Sequence, residues 1–225
     1  MSPSRPGKPL AEPPLDCTLC PRLAIYLADT RIQHPDWYNA PVPSFGDPRA
    51  RLLIVGLAPG ITGANRTGRP FTGDFAGDLL YETLDKYGFS RGSYSSRPDD
   101  DLELVDCMIT NAVRCVPPQN KPNGSEIKTC RRFLEARIEA LPGLAVILAL
   151  GRIAHDSTVS ALGLKRSATP FGHNAHHEVP GSKCDGQELV LFDSYHCSRY
   201  NTNTRRLTPQ MFEQVFQDIR VFLDG

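Results

Sequence analysis

The chain has 225 residues, of which 40% are hydrophobic, so it can bury one sizeable core and we expect a single globular domain. Its 25 basic and 25 acidic residues cancel, which excludes a globally basic nucleic-acid binder but leaves room for a local basic patch. No stretch reaches the length of a membrane span, and the first eight residues lack the apolar core of a signal peptide. We therefore expect a cytoplasmic protein with no membrane contact.

The predicted elements alternate between strands and helices. The first dozen residues are proline-rich and polar, and we expect them to be a flexible segment. Apolar runs then predict strands at 51–56, 102–113, 144–150 and 188–193, and helical periodicity predicts helices at 22–30, 75–87, 124–140, 152–162 and 209–223. The polar stretches 90–101 and 163–187 are expected to be loops, the second with a small hairpin. This alternation predicts an α/β fold with three layers, α/β/α, around a central four-stranded parallel sheet.

Polar side chains follow three of the four predicted strands. A glycine-rich loop from Gly56 to Asp74 follows the first strand, Asn111 lies near the end of the second, and His196 follows the fourth. Ligands of parallel sheets bind beyond the carboxyl ends of the strands. We therefore expect these three loops to converge on one crevice.

The glycine-rich loop carries more chemistry than a connector needs. Asn65, Arg66, Arg69, Phe71 and Asp74 supply an amide, two cations, a ring and a carboxylate, while the glycines permit close backbone approach. Neither the Lys-Ser/Thr of a phosphate-binding loop nor a Gly-x-Gly-x-x-Gly pattern is present. Binding of a nucleotide phosphate is therefore the weaker interpretation of this loop.

The seven cysteines of an intracellular chain suggest metal or redox chemistry before disulfides. Two residues separate Cys17 from Cys20, and fourteen separate Cys115 from Cys130. This spacing suits four thiolates around an iron–sulfur cluster or a zinc ion. Three of them lie in segments flanked by proline or arginine, which disfavours four unrelated core cysteines. A second metal site is conceivable but fits no standard ligand spacing: His173, His176, His177 and Cys184.

Two motifs resemble those of a known enzyme family. The stretch Gly56–Asp74, with Gly-Leu-Ala-Pro-Gly at its start and Gly-Arg-Pro-Phe-Thr-Gly-Asp at its end, resembles the first motif of the family 5, or type b, uracil-DNA glycosylases. Ser194-Tyr195-His196-Cys197-Ser198 followed by Asn201-Thr202-Asn203-Thr204 resembles their second motif, although Cys197 stands where proline is usual. The cysteine spacing resembles that of the family's [4Fe-4S] cluster. The similarity covers nearly the whole chain beyond its first dozen residues.

The resemblance implies a uracil-DNA glycosylase-like fold and a monofunctional enzyme that initiates base excision repair. Such an enzyme hydrolyses the N-glycosidic bond of uracil in DNA, and of other deaminated bases such as hypoxanthine. Cleavage leaves positive charge on the sugar and negative charge on the departing base. Asp74 is expected to stabilise the sugar, His196 to donate to the uracil carbonyl, and Asn111 to pair with the base edge.

The remaining expected site residues bind the base or the DNA. The base pocket is expected to contain Gly56, Ala58, Pro59, Gly60, Phe71 and Asn111, with Phe71 stacked on the base. DNA contacts are expected from Asn65, Arg66, Arg69, Ser198, Arg199, Tyr200 and Arg205, and either Arg199 or Tyr200 can wedge into the duplex.

Each catalytic assignment has a simpler alternative. Asp74 can cap the helix that follows it, His196 can be an ordinary loop histidine, Asn111 a turn residue, and Phe71 part of the core. For the whole chain, the alternative function is a non-catalytic iron–sulfur protein that binds damaged DNA. We expect a monomer that associates with the nucleoid.

Overall fold

The computed structural model describes residues 11–184 and 187–225. Its helices are α1 (Pro21–Gln33), α2 (Ala64–Thr67), α3 (Phe75–Lys86), α4 (Gly124–Glu139), α5 (Arg152–Ala161), α6 (Arg199–Asn203) and α7 (Pro209–Asp224), with a 3-10 turn at Pro118–Asn120. Its strands are β1 (Phe45–Gly46), β2 (Leu52–Gly56), β3 (Ser90–Arg91), β4 (Glu103–Leu104), β5 (Cys107–Asn111), β6 (Val146–Leu150), β7 (His176–Cys184) and β8 (Gln187–Ser194).

The main sheet has the order β1-β5-β2-β6-β8-β7 within the described part of the chain. The four central strands are parallel, as predicted, and β1 and β7 add antiparallel edges. The predicted count of four strands is therefore wrong by these two edges. A central strand buried on both faces needs a continuous apolar run, whereas β1 is two residues long and β7 is polar, so neither carries that pattern.

Helices cover both faces of the sheet and confirm the three-layer prediction. Alternate strand residues such as Leu52 and Ile54 pack on one side with side chains of α3 and α7. Their neighbours Leu53 and Val55 pack on the other side with side chains of α4 and α5. The register aligns Gly56 of β2 with Asn111 of β5, so these strands end at the same level.

Helix boundaries follow the predictions more closely than strand boundaries. Asn123 caps α4 through a reciprocal capping box with Glu126, and Thr208 caps α7 ahead of Pro209. The predicted strand 102–113 is shortened to β5, because its first residues form β4, which pairs with β3 in a separate two-stranded sheet. Among the described residues, no helix has the length and apolar character needed to cross a membrane.

The N-terminal segment is tied to the domain at Glu12. Its carboxylate forms ion pairs with the buried Arg114 and with Arg137, and Arg114 also donates to the carbonyl of Ala11. Of the residues 1–12 expected to be flexible, residues 1–10 lie outside the described part of the chain, and Glu12 is held in place by these ion pairs. Residues 11 and 12 thus contact Arg114 in the loop that follows β5.

Candidate active site

A cavity of about 990 Å³ opens beyond the carboxyl ends of the parallel strands. Its walls come from the loops after β2, β6 and β8. Predicted residues in the lining are Ala58, Gly60, Arg66, Asp74, His196, Ser198 and Arg199. The crevice expected from the alternation of strands and helices thus exists, and it gathers carboxylate, imidazole and guanidinium groups.

Gly56, Phe71 and Asn111 form a tight group behind this lining. A methyl group placed on Gly56 would come within 2.7 Å of the Phe71 ring and still closer to Asn111 Oδ1. The Phe71 ring in turn lies 5.8 Å from the His196 ring, at an angle of 26°. Glycine at position 56 is therefore what allows an aromatic face and an amide to lie side by side next to His196.

The two carboxylate oxygens of Asp74 contact different elements: one contacts helix α3, and the other faces the glycine-rich loop. Its Oδ1 accepts a hydrogen bond from the Gly77 N–H at 3.2 Å, so it caps α3. Its Oδ2 faces Gly60 and Gly63, where added methyl groups would approach to 3.3 and 2.5 Å. Burial raises the pKa of Asp74, while the backbone N–H groups of Gly77 and Ala76 oppose that rise. Capping and a carboxylate oxygen directed at the pocket are thus compatible.

His196 is partly open to the cavity but keeps its Nδ1 buried. Within the described residues this nitrogen has no hydrogen-bond partner. Burial lowers the pKa of His196 to about 4, so the imidazole is neutral at physiological pH. Asn201 donates to the backbone carbonyl of His196 at 2.8 Å and fixes the loop that carries it.

Cys197, next in the chain, is fully buried. Its thiol donates to the carbonyl of Ala76 at 3.4 Å, and burial raises its pKa. This hydrogen bond attaches the loop of His196 to the first turn of α3. The attachment is made by a side chain at the position where proline is usual in the second motif.

Two residues expected to bind DNA point away from solvent, which corrects those predictions. Asn65 is fully buried and donates to Asn39 Oδ1 at 2.9 Å. Arg69 is 5% exposed and pairs with Asp100 through both nitrogens of its fork. Neither side chain is placed to contact a phosphate, because each is already committed to an internal partner.

The other expected DNA-binding residues are exposed, except Ser198, which is half-buried. Arg66 and Arg199 lie on the rim of the cavity, and the Arg199 guanidinium lies 5.2 Å from the centre of the Phe75 ring. Tyr200, at the start of α6, is 73% exposed. Arg205 is exposed beyond the end of the same helix.

The cavity also includes residues that the sequence analysis missed. They are Leu57, Thr62, Gly73, Phe75, Ala76, Asp78, Ser96, Asn120, Leu150, Gly151, Arg152 and Ile153. Gly151 follows β6 and precedes α5, and a methyl group on it would lie 3.3 Å from the His196 Cβ. Residues 150–153 lie at and just beyond the carboxyl end of a predicted parallel strand, and this position is the feature of the sequence that points to them.

The four cysteines predicted as ligands line one small pocket beside α1, together with Leu23 and Phe133. All four are free thiols, and the Arg114 N–H lies 3.3 Å from Cys130 Sγ. In the described ranges, however, no three His, Cys, Asp or Glu side chains stand close enough to hold a metal ion as arranged.

The described side chains of the second metal site considered from the sequence are likewise not arranged to hold a metal ion. The rings of His173 and His176 pack against Tyr195 and Phe192, and His177 hydrogen-bonds to the Pro170 carbonyl. The Cys184 side chain lies outside the described residues.

Comparison with known proteins assigns the family. The model of the uracil DNA glycosylase superfamily matches residues 43–220. The chain belongs to this superfamily. It is 45% identical over 209 residues to the type-5 uracil-DNA glycosylase of Thermus thermophilus, covering 91% of this chain and 92% of that protein. It is 36% identical to a type-5 enzyme of Pyrobaculum aerophilum, over 90% of this chain and 87% of that protein.

A more distant relative is the type-4 uracil-DNA glycosylase of Pyrobaculum aerophilum, 31% identical over 82% of each chain. The superfamily model covers all three loops that converge on the cavity. It also covers Cys115 and Cys130, but it begins after Cys17 and Cys20. The N-terminal half of the cysteine set thus lies outside the part of the chain that defines the superfamily.

Proposed function

We propose that this protein is a monofunctional DNA glycosylase that hydrolyses the N-glycosidic bond of uracil in DNA and initiates base excision repair. Hypoxanthine and other deaminated bases belong to the same proposal. The observation that carries it is that a half-buried carboxylate and an imidazole line one cavity, with an aromatic ring and an amide packed behind the lining. The type-5 relatives support the choice of uracil.

In the proposed mechanism, Asp74 and His196 act on opposite sides of the bond that breaks. The Asp74 carboxylate stabilises positive charge on the deoxyribose and orients the attacking water. Its capping bond to Gly77 holds one oxygen fixed and leaves Oδ2 for the substrate. Neutral His196 donates a proton in a hydrogen bond to the uracil carbonyl as negative charge develops there.

A neutral imidazole suits this role. It carries one N–H, so it can donate a hydrogen bond to the uracil carbonyl at neutral pH without first being protonated. The Nδ1 of His196, which has no hydrogen-bond partner in the described part of the chain, is buried, so Nε2 is the candidate donor toward the cavity.

The base itself is held by Phe71 and Asn111. A flipped base is read through its hydrogen-bonding edge and by stacking on apolar side chains. The Asn111 amide offers both a donor and an acceptor, and Phe71 offers a ring face. Gly60, which has no side chain, and Ala58, which has only a methyl group, line the cavity and leave room for the base beside the backbone, while Gly56 leaves room for Phe71 and Asn111 and Pro59 lies between the two lining residues.

The DNA backbone is bound by residues of the two motif loops: the exposed Arg66, Arg199, Tyr200 and Arg205, and the half-buried Ser198. Tyr200 is the candidate wedge, since an exposed ring can fill the space that a flipped nucleotide leaves. With three to four phosphates contacted, the affinity should fall with salt at a log–log slope of about −3. Action as a monomer and association with the nucleoid belong to the same proposal.

The chemistry of the four cysteines fits a [4Fe-4S] cluster or a zinc ion, since four free thiols share one pocket. A bound cluster would supply structural cross-linking, with Cys17 and Cys20 attached to the loop at Cys115 and to α4 through Cys130. We propose the [4Fe-4S] form from the resemblance of the spacing. The Arg114 N–H is then a hydrogen-bond donor to the Cys130 sulfur.

The test incubates the purified protein with duplexes that contain a single uracil or hypoxanthine, followed by alkali. The proposal predicts strand scission at the damaged base only after alkali, with free uracil released. Binding without base release would instead support the non-catalytic alternative. Iron and sulfide analysis of the same preparation, with about four of each per chain, supports the cluster; zinc in their place would contradict it.

A further inference from the structure

Arg69 lies in an aromatic enclosure inside the protein. Its guanidinium carbon is 5.1, 5.6 and 5.8 Å from the ring centres of Phe45, Tyr81 and Tyr94. Only 5% of the residue is exposed. A buried cation needs a counter-charge with matched geometry, because removing either partner leaves an uncompensated charge.

Asp100 supplies that counter-charge from the stretch 90–101, which we had expected to be a plain surface loop. Arg69 Nη1 lies 2.6 Å from Asp100 Oδ1, and Arg69 Nη2 lies 2.8 Å from Asp100 Oδ2. The Asp100 side chain is 3% exposed. Hydrogen bonding to Arg69 holds the pKa of Asp100 down at about 2. Asp100 also accepts from the backbone N–H of Ser95, so the ion pair fixes the loop as well.

The same enclosure holds the backbone of residues 69–74, here called the strap. Arg69 Nε donates to Thr72 Oγ1 at 2.7 Å, and the Tyr81 hydroxyl donates to the Pro70 carbonyl at 2.7 Å. The Tyr94 hydroxyl donates to the Phe71 carbonyl at 3.2 Å. The strap is thus held from α3 on one side and from the 90–101 loop on the other.

The strap needs this support because Phe71 has a left-handed backbone, with φ at +53°. A bulky residue other than glycine avoids this region unless its surroundings impose it. Phe71 is the proposed stacking face, and Asp74 ends the strap. A relaxed strap would move both groups away from the cavity.

We infer that Arg69 and Asp100 are positioning residues for base excision: their ion pair locks the strap and thereby holds Phe71 and Asp74 in their working geometry. This inference rests on the proposed function. It also replaces a phosphate contact as the role of Arg69. The 90–101 loop becomes a support of the active site, held in place by an internal ion pair.

The central experiment compares Asp100→Asn with Asp99→Asn in single-turnover excision of uracil. Asp99 is a matched control, because it is next to Asp100 in the same loop and its ion pair with Arg97 is exposed. Asp100→Asn should lower the rate constant at saturating enzyme by about 10- to 100-fold with little change in half-saturation. Asp99→Asn should stay within about twofold of wild type.

Rates are compared at a temperature where thermal unfolding shows each variant to be folded. A purely structural role would lower the melting temperature but leave the rate constant of the folded enzyme unchanged, and that result would overturn the inference. A Phe71→Leu background gives a second readout. There Asp100→Asn should cost less than in wild type, because both changes act on the same step; fully additive losses would contradict action through Phe71.

Salt dependence separates positioning from DNA binding. Arg69→Gln should leave the log–log salt slope of DNA binding unchanged, whereas Arg66→Gln should reduce its magnitude by about 1. Arg69→Lys should lose nearly as much activity as Arg69→Gln, since a lysine keeps the charge but not the fork that pairs with Asp100. A reduced slope in Arg69→Gln would return Arg69 to the phosphate-binding group.

If the variants of the ion pair do not fold, Tyr94→Phe decides. It removes only the hydroxyl that holds the Phe71 carbonyl and should slow excision by about 3- to 10-fold. An unchanged rate in that variant would overturn the locked-strap account. Absence of excision by the wild-type protein would instead refute the proposed function, so the two failures are distinguishable.

Discussion

Replacement of Gly56 by alanine tests the geometry of the proposed base pocket with a single methyl group. The backbone there does not require glycine, because Gly56 is the last residue of β2 and does not have a positive φ. The obstacle is instead the Phe71 ring, 2.7 Å from the new methyl group, and the Asn111 amide oxygen, which is nearer still. Both side chains must move by about 1 Å to reach ordinary van der Waals distance.

A shift of that size should lower the single-turnover rate of uracil excision by about 100-fold, since misplacement of a positioning group by 1 Å has that effect. Overpacking should lower the free energy of unfolding by about 1–3 kcal/mol. The affinity for an undamaged duplex should not change, because the DNA-binding loops are untouched.

The matched control for Gly56→Ala is Gly124→Ala. A methyl group on Gly124, at the start of α4, meets nothing within 4 Å. Its effect on stability should stay within about 0.5 kcal/mol, with the rate of excision unchanged. Gly56→Ala excising uracil at the wild-type rate would refute the base pocket formed by Gly56, Phe71 and Asn111.

Three further predictions concern stability and the cysteines. Burial holds the pKa of His196 at about 4, below the usual 6.5, so between these values the unfolded chain takes up a proton that the folded protein excludes. The free energy of unfolding should therefore fall by up to about 3 kcal/mol as the pH drops from about 6.5 to 4. Denaturant titrations of His196→Asn should not show this pH-dependent loss. His155→Asn should cost about 1–3 kcal/mol in the same titrations, because His155 Nδ1 lies 2.8 Å from the fully buried Asp193 and its removal leaves that carboxyl without this hydrogen bond; an unchanged stability would contradict a buried hydrogen bond. Cys17→Ser should lower the iron content and melting temperature together; loss of excision with folding and DNA affinity intact would contradict a structural cluster.

The central sheet could be predicted because each parallel strand is buried on both faces and therefore needs a continuous apolar run. The run from Leu144 to Leu150 is one example, and β6 lies within it. The edge strands could not be predicted in this way. β1 contributes only Phe45 and Gly46, and its pairing with β5 depends on a partner more than 60 residues away.

The site could be predicted where function follows strand order. Asn111 ends β5 and His196 follows β8, and parallel strands bring their ends to one edge of a sheet, which is why His196 lines the cavity and Asn111 lies just behind its lining. The direction in which Arg69 points could not be predicted. Arginines in a polar loop normally face water, and the sequence near Arg69 does not reveal a carboxylate partner at Asp100, 31 residues away.

For Asp74 the sequence left two roles open, and the geometry shows that one carboxylate can serve both. One oxygen satisfies the Gly77 N–H at the start of α3, and the other is enclosed by the glycines of the loop before it. Capping fixes the side chain relative to the helix and so also fixes the free oxygen. This arrangement makes the isosteric amide a discriminating substitution, because asparagine is an equally good N-cap but carries no charge.

The most direct test is therefore single-turnover excision of uracil by Asp74→Asn beside the wild-type protein, with thermal unfolding of both. The proposed mechanism predicts an unchanged melting temperature and a rate constant lowered by about 100- to 1,000-fold, the effect of losing one group that stabilises charge in the transition state. A folded Asp74→Asn protein that releases uracil at the wild-type rate would show that Asp74 only caps α3, and would contradict the proposed mechanism.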